Sequence, residues 1–281
     1  MTVMRSLCLF LLLMALTTLI PLQPAHASLT ISPLRVVFDG RTRSADVMLI
    51  NTSNETNTYR VGWVYNKMDT HGAYDRVEKT LTPAFDVGQG VLYSPRQVTI
   101  PGQGRQKVRL SLRRPPDLAD GEYRAHLVFQ KLPNASDIAP RDKSNAPKRG
   151  QTLSLSVLLG FSIPVIVRQG EYDCHVTITT PEFVAGNAQT GGKPQIKFKL
   201  TREGKHGAIG RILVTWDKSK DPYQRIGVLN NVSLFPEINE RDVAIDLMES
   251  AISGGTVTIR YYGDGPQKGE ILAEKSFPVG G

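Results

Sequence analysis

Apolar and polar residues alternate with a period of two through most of the chain. Leu29 to Phe38 and Ala45 to Ile50 come first, joined through the turn-prone pair Asp39-Gly40. Tyr59 to Tyr65, Val91 to Ile100, Lys107 to Leu112, Tyr123 to Phe129 and a long run from Leu153 to Val167 follow. Side chains two positions apart share one face of a strand. Each segment therefore predicts a strand, and the Gly, Pro, Asn and Asp residues between them predict turns.

The pattern then restarts. Cys174 to Thr179, Gln195 to Leu200, Ile209 to Trp216, Gly227 to Phe235, Val243 to Leu247, Val257 to Tyr262 and Ile271 to Phe277 form a second set, after a short hinge at Arg168-Gln169-Gly170-Glu171. No long amphipathic helix is predicted. Residues 241–252 are read as strand because Val243, Ile245 and Leu247 alternate cleanly. Seven strand segments with short turns suit one immunoglobulin-like sandwich. The expected fold is all-β, with two tandem immunoglobulin-like β-sandwich domains at 28–168 and 169–281.

The first 27 residues do not fit this pattern. Arg5 precedes an apolar run from Leu7 to Ile20, then Pro21 and Ala25-His26-Ala27. A positive start, an apolar core of this length and a small-residue end predict a cleavable secretory signal at 1–27, with Ser28 as the mature N-terminus. The run is short for a membrane span of roughly 20 residues, so no membrane insertion is expected after cleavage. The full chain of 281 residues carries a formal charge of +8, from which cleavage takes Arg5. Of two cysteines, Cys174 remains, so the expected domains rest on packing and not on a disulfide. Within its predicted strand it reads as a small apolar residue and not as a nucleophile.

Two features stand out as candidate chemistry. The Pro-rich, basic stretch 132–151 is a long connection for a compact domain, and it precedes an unusual strand. Leu153, Leu155, Val157, Leu159, Phe161 and Ile163 put apolar side chains on one face, while Ser154, Ser156, Leu158, Gly160 and Ser162 leave the other mostly small. Two readings are open: a core strand of its own sandwich, or a strand offered to another protein by β-augmentation, with main-chain hydrogen bonds giving affinity and side-chain pockets specificity. An unpartnered strand of this kind is also open to a second copy of the chain, as a self-capping homodimer. Arg35 is the other feature, an arginine in an otherwise apolar first strand. It is either a surface residue or a planar fork held in a cleft to bind a carboxylate.

Leu34-Arg35-Val36-Val37-Phe38-Asp39-Gly40, Leu49-Ile50-Asn51-Thr52-Ser53-Asn54, Pro95-Arg96-Gln97-Val98-Thr99-Ile100-Pro101-Gly102, Gln106-Lys107-Val108-Arg109-Leu110 and Gly121-Glu122-Tyr123-Arg124 together resemble the PapD-like periplasmic pilus chaperones, with a likeness to their archaic-like branch at Gly121 to Leu127. The resemblance covers the first domain and the hinge; the second domain matches in length, strand count and position. It implies two domains in a boomerang with a cleft between them. It also implies capture of pilin or fimbrial subunits in the periplasm by donor-strand complementation, and delivery to an outer-membrane usher. The donor strand would be 152–168, with Leu155, Val157, Leu159 and Phe161 as central pegs and Leu153 and Ile163 at the ends. Arg35 matches the family's first carboxylate anchor. The second, a lysine in the family, has no counterpart here, because Ser162-Ile163-Pro164 occupy its place; either another base serves, with Arg124 (preferred) and Arg168 the candidates, or the anchor is built differently. Pro164 lacks an N–H, so pairing is expected to weaken or bulge beside it.

Other classes find little support. His71, His126, His175 and His206 are scattered without metal-ligand spacing, and no G-x-S-x-G or H-E-x-x-H occurs. Gly102-Gln103-Gly104 reads as a turn, since no helix follows. The basic residues are interspersed with strands, which argues against nucleic acid as a partner. No cofactor, metal or enzymatic activity is expected. The alternative is a tandem immunoglobulin-like adhesin or carbohydrate-binding module, and a more remote one is a secreted hydrolase.

Overall fold

The computed structural model describes residues 29–133 and 160–280, apart from 189, 222 and 250. In the first domain the strands run β1 (Leu29–Ser32), β2 (Val36–Phe38), β3 (Ser44–Asn51), β4 (Asn57–Met68) and β5 (Tyr74–Val77). They continue as β6 (Val91–Ser94), β7 (Gln97–Ile100), β8 (Arg105–Leu112), β9 (Gly121–Lys131) and β10 (Gly160–Gln169). One sheet has the order β1-β3-β8-β6; the facing sheet has the order β2-β10-β9-β4-β5, with β7 added to the start of β4. Period-two burial builds the core: Val108, Leu110 and Leu112 of β8 point inward against Leu127 and Phe129 of β9, and Phe38, Leu49 and Tyr59 complete the layer.

Two segments expected as single strands are each divided. Leu29 to Phe38 breaks after Ser32, and Val91 to Ile100 breaks after Ser94, each at a proline. In both cases the chain crosses from one sheet to the other there, where a residue without an N–H interrupts no ladder. β5 has no buried alternation and was not foreseen. Tyr123, at the start of β9, donates its hydroxyl to the Ala119 carbonyl at 2.9 Å, the tyrosine-corner arrangement of immunoglobulin-like sandwiches. Asn51 is fully buried at the opposite end, where its side chain bonds Glu55, Ile100, Pro101, Ser53 and Asn57 and pins two loops together.

The second domain holds β11 (His175–Val184), β12 (Gln195–Glu203), β13 (Ala208–Trp216), β14 (Arg225–Leu234), β15 (Glu240–Asp246), β16 (Thr256–Gly263) and β17 (Ile271–Pro278). They form the sheets β11-β12-β15 and β14-β13-β16-β17. Ile196, Leu200, Ile212, Val214, Leu234, Ile259 and Tyr261 fill the space between. The fold is thus all-β, two largely antiparallel sandwiches in tandem, with β2 parallel to β10 in the first.

β10 binds the two together. Ile163, Val165 and Val167 point into the first core, while Ile166, on the opposite face, belongs to the second core with Met68. Gly170 then turns the chain at φ +84°, where a Cβ would lie 2.4 Å from Asp120 Cγ, so the hinge requires glycine.

Candidate functional site

Among the described residues, the first half of β10 is a sheet edge. Along one side it pairs with β9 over its whole length, from Gly160 opposite Gln130 to Gln169 opposite Gly121. Along the other side β2 runs parallel to it and covers only Val165 to Val167. Among the described residues, no strand pairs with that side of Gly160 to Pro164. The expected bulge at Pro164 is absent: the register passes through Pro164 and His126 without a shift. The missing N–H therefore faces away from β9, toward the open side, where no ladder bond is lost.

The direction of β2 matters. A strand laid along Gly160 to Pro164 in line with β2 would run parallel to β10 and reach its C-terminal end where β2 begins. Arg35 is the residue just before β2. Extending the register from Val36 opposite Val165 sets Arg35 level with Pro164.

Arg35 lies in a cleft of about 520 Å³ between the domains. Pro33, Leu34, Val37 and Arg168 line it from the first domain, and Ile209, Asn231, Asp264, Gly265 and Pro266 from the second. Its walls are largely apolar, with Leu34 60% exposed at the mouth. The Arg35 side chain is 17% exposed, and its Nη2 pairs with Asp264 Oδ2. Of the two readings the sequence left for Arg35, the cleft is the observed one.

Arg168 lines the same cleft but is locked. Its Nε donates to Glu122 Oε2, its Nη1 to Gln267 Oε1 and its Nη2 to the Gly207 carbonyl, each at 2.9 Å. Glu122 has no exposed side-chain surface, and the same Oε2 accepts Gly207 N at 3.1 Å. Arg168 is thus a strut from the first domain to the second.

Arg124, the preferred second anchor, is not in the cleft lining. Its side chain is 5% exposed and pairs with Glu237 of the second domain, stacks 3.9 Å over the Phe235 ring and donates to the Asn66 carbonyl at 3.2 Å. Outward-facing residues of β9 at this end face the second domain instead of water, so an arginine there is consumed by packing. Glu237 also accepts Met68 N at 3.1 Å.

The expected pegs divide at the limit of the described residues. Leu153, Leu155, Val157 and Leu159 lie outside them. Phe161 is half-buried and packs against the first core, and Ile163 is 3% exposed within it. Ile163 therefore serves its own sandwich and is not a free peg, because the parity that aligns it with Leu159 also aligns it with Val165 and Val167. For this residue the core reading of the strand is the one observed.

Sequence reasoning missed Asp264, Glu237, Glu122 and Gln267. Glu122 stands inside a quoted motif, but the others sit in turns of the second domain, at sequence separations of 229, 113 and 99 from their arginine partners. No local pattern joins residues so far apart. Cys174 is half-buried against the second core, and burial pushes its thiol up, which disfavours a nucleophilic thiolate. Among the described residues, no group of three or more His, Cys, Asp or Glu could hold a metal ion, and no helix is long and apolar enough to cross a membrane.

No family model matches the chain, and no curated protein matches it. Solved structures similar to it include the YadV chaperone, 11% identical over 90% of this chain and 100% of that one, with a TM-score of 0.44. The class 5 fimbriae chaperone CfaA is 14% identical over 89% and 98%, with a TM-score of 0.43. The chaperone–tip adhesion subunit complex CsuC–CsuE, from the archaic chaperone-usher Csu pili of Acinetobacter baumannii, is 13% identical over 90% and 99%, with a TM-score of 0.42.

Proposed function

We propose that this chain is a periplasmic assembly chaperone that holds pilus or fimbrial subunits by lending them a strand, without cofactor or catalysis. The observation that carries the reading is the alignment of an open strand edge with a cleft that holds an arginine: Gly160 to Pro164 lack a described partner on one side, and Arg35 stands at the end of that same line. A partner strand running parallel to β10 gains main-chain hydrogen bonds along the edge. Its terminal carboxylate arrives at a guanidinium fork shaped to accept it.

The apolar residues at alternate positions before β10, Leu153, Leu155, Val157 and Leu159, act as pegs that fill the partner's incomplete core. Each such residue, once buried, contributes about 1.5–3 kcal/mol before ordering costs. Arg168 supports the cleft by holding its two walls together, while Arg35 makes the contact with the partner. The complex is then delivered to an outer-membrane usher, and the segment 1–27 directs the chain to the periplasm.

The test is recovery of a partner. The chain is co-expressed with the secreted proteins encoded beside it and purified from periplasmic extracts. The unaltered chain brings down a subunit, and Arg35→Ala leaves the melting temperature unchanged but lowers recovery at least tenfold. Undiminished co-purification with Arg35→Ala would reject the anchor and, with it, this reading.

A further inference from the structure

Among the described residues, three arginine–carboxylate pairs lie at or between the domains, and they differ in one respect. Glu122 and Glu237, which hold Arg168 and Arg124, are 0% and 12% exposed, whereas Asp264, which holds Arg35, is 47% exposed. Removing a carboxylate from the first two strands a buried charge. Asp264 can return to water at little cost, whereas Arg35, 17% exposed, then needs another carboxylate in its place.

Asp264 is also held ready. It lies in the turn after β16, where its Oδ1 accepts Gly265 N at 2.8 Å and its own N–H donates to the Ile209 carbonyl at 2.9 Å. One carboxylate oxygen is thus engaged by the turn and the other faces Arg35. Asp264 further borders an adjoining pocket of about 280 Å³ lined by Arg211 and Lys268, so on leaving Arg35 it remains beside positive charge.

We propose that Asp264 is a placeholder for the partner's carboxylate. It occupies Arg35 while the cleft is empty and is displaced when a chain terminus enters along the open edge of β10. The competition is between like groups, so a carboxylate succeeds only when its flanking residues also gain strand pairing and apolar contacts with Leu34, Val37 and Ile209. Acetate and chloride, which offer neither, are excluded. This inference rests on the anchor role proposed for Arg35.

The experiment uses the mature chain with isotope-labelled arginines, unaltered and as Asp264→Asn. Asparagine keeps the side-chain oxygen that accepts Gly265 N. The probe is acetyl-Thr-Val-Thr-Phe with a free C-terminus, followed by its C-terminal amide, and the readout is the Arg35 guanidinium resonance assigned by its loss in Arg35→Ala. With Asp264→Asn the free acid shifts the resonance at a midpoint about threefold to fivefold lower, the ratio a partly exposed ion pair supplies; the amide shifts neither protein. Asp264→Ala, with an unchanged melting temperature, reproduces the gain. Equal midpoints, or a weaker Asp264→Asn, overturn the placeholder and leave the anchor standing. No response of Arg35 to the free acid in either protein overturns both.

Discussion

His126 sits on the face of β9 that the second domain covers, 2% exposed, with Arg124 Nη1 at 3.2 Å from its Nε2 and the Tyr74 ring edge-on at 5.0 Å. Burial, and then the neighbouring guanidinium, hold its pKa down at about 3, so the ring is neutral in the folded protein. An unfolded histidine takes up its proton near pH 6.5. Below that pH the unfolded chain binds one more proton than the folded one, and stability falls as pH drops from about 6.5 toward 3; above 6.5 it is fully retained. Denaturant midpoints at pH 7 and pH 5 should show this. Relative to His126→Gln, the unaltered chain loses about 2 kcal/mol more over that interval. Equal losses would mean that the imidazole titrates normally. The sequence marked His126 only as one of several scattered histidines, because the Tyr74 ring that packs on it comes from a different strand.

At the scale of elements, β10 carries three tasks by position alone. Its inward face at Ile163, Val165 and Val167 fills the first core, Ile166 on the other face enters the second, and its first half has no partner on one edge among the described residues. Substitutions along one continuous run should therefore separate cleanly. Ile163→Ala should destabilise the first domain by about 2–4 kcal/mol and lower the melting temperature, as a truncation in a packed core does. Leu159→Asp should leave melting unchanged while abolishing subunit recovery, and persistence of capture would reject the donor role of the run. The alternation that revealed a strand from Leu153 to Val167 was legible because period two follows from backbone geometry. The place along that run where β2 stops covering one edge was not, since parity is the same on both sides of it. The breaks at Pro33 and Pro95 were equally hidden: proline signals an interruption, but which sheet the chain joins next depends on the partners available there.

For the whole molecule, the relation of the two sandwiches rests on contacts between distant residues. Arg168 with Glu122, Gly207 and Gln267 forms the deepest of them, Arg124 with Glu237 and Phe235 a second, and the Asp242 N–H donating to the Thr70 carbonyl at 2.7 Å a third, through the turn between β4 and β5. Arg168→Ala should cost about 3–5 kcal/mol, because Glu122 keeps a buried charge without its partner. Arg168→Lys should recover little, since one ammonium cannot reach three acceptors arranged for a planar fork. Chemical unfolding monitored in each domain would check this, and a change below about 1 kcal/mol would deny the strut. Should the domains loosen as expected, Arg35 and Asp264 would also lose their registry across the cleft.

The alternation of residues by itself determined the all-β class, the two-domain division and most strand positions, because hydrophobic periodicity records which face of each strand is buried. It also singled out Arg35 as an arginine in an apolar strand. Tertiary structure alone decided that Arg35 faces a cleft and Asp264, that Arg124 and Arg168 are struts, and that Ile163 is interior. Those outcomes depend on which surfaces meet between residues far apart in the chain, and pairing at that range is set by packing and desolvation, which no local pattern encodes.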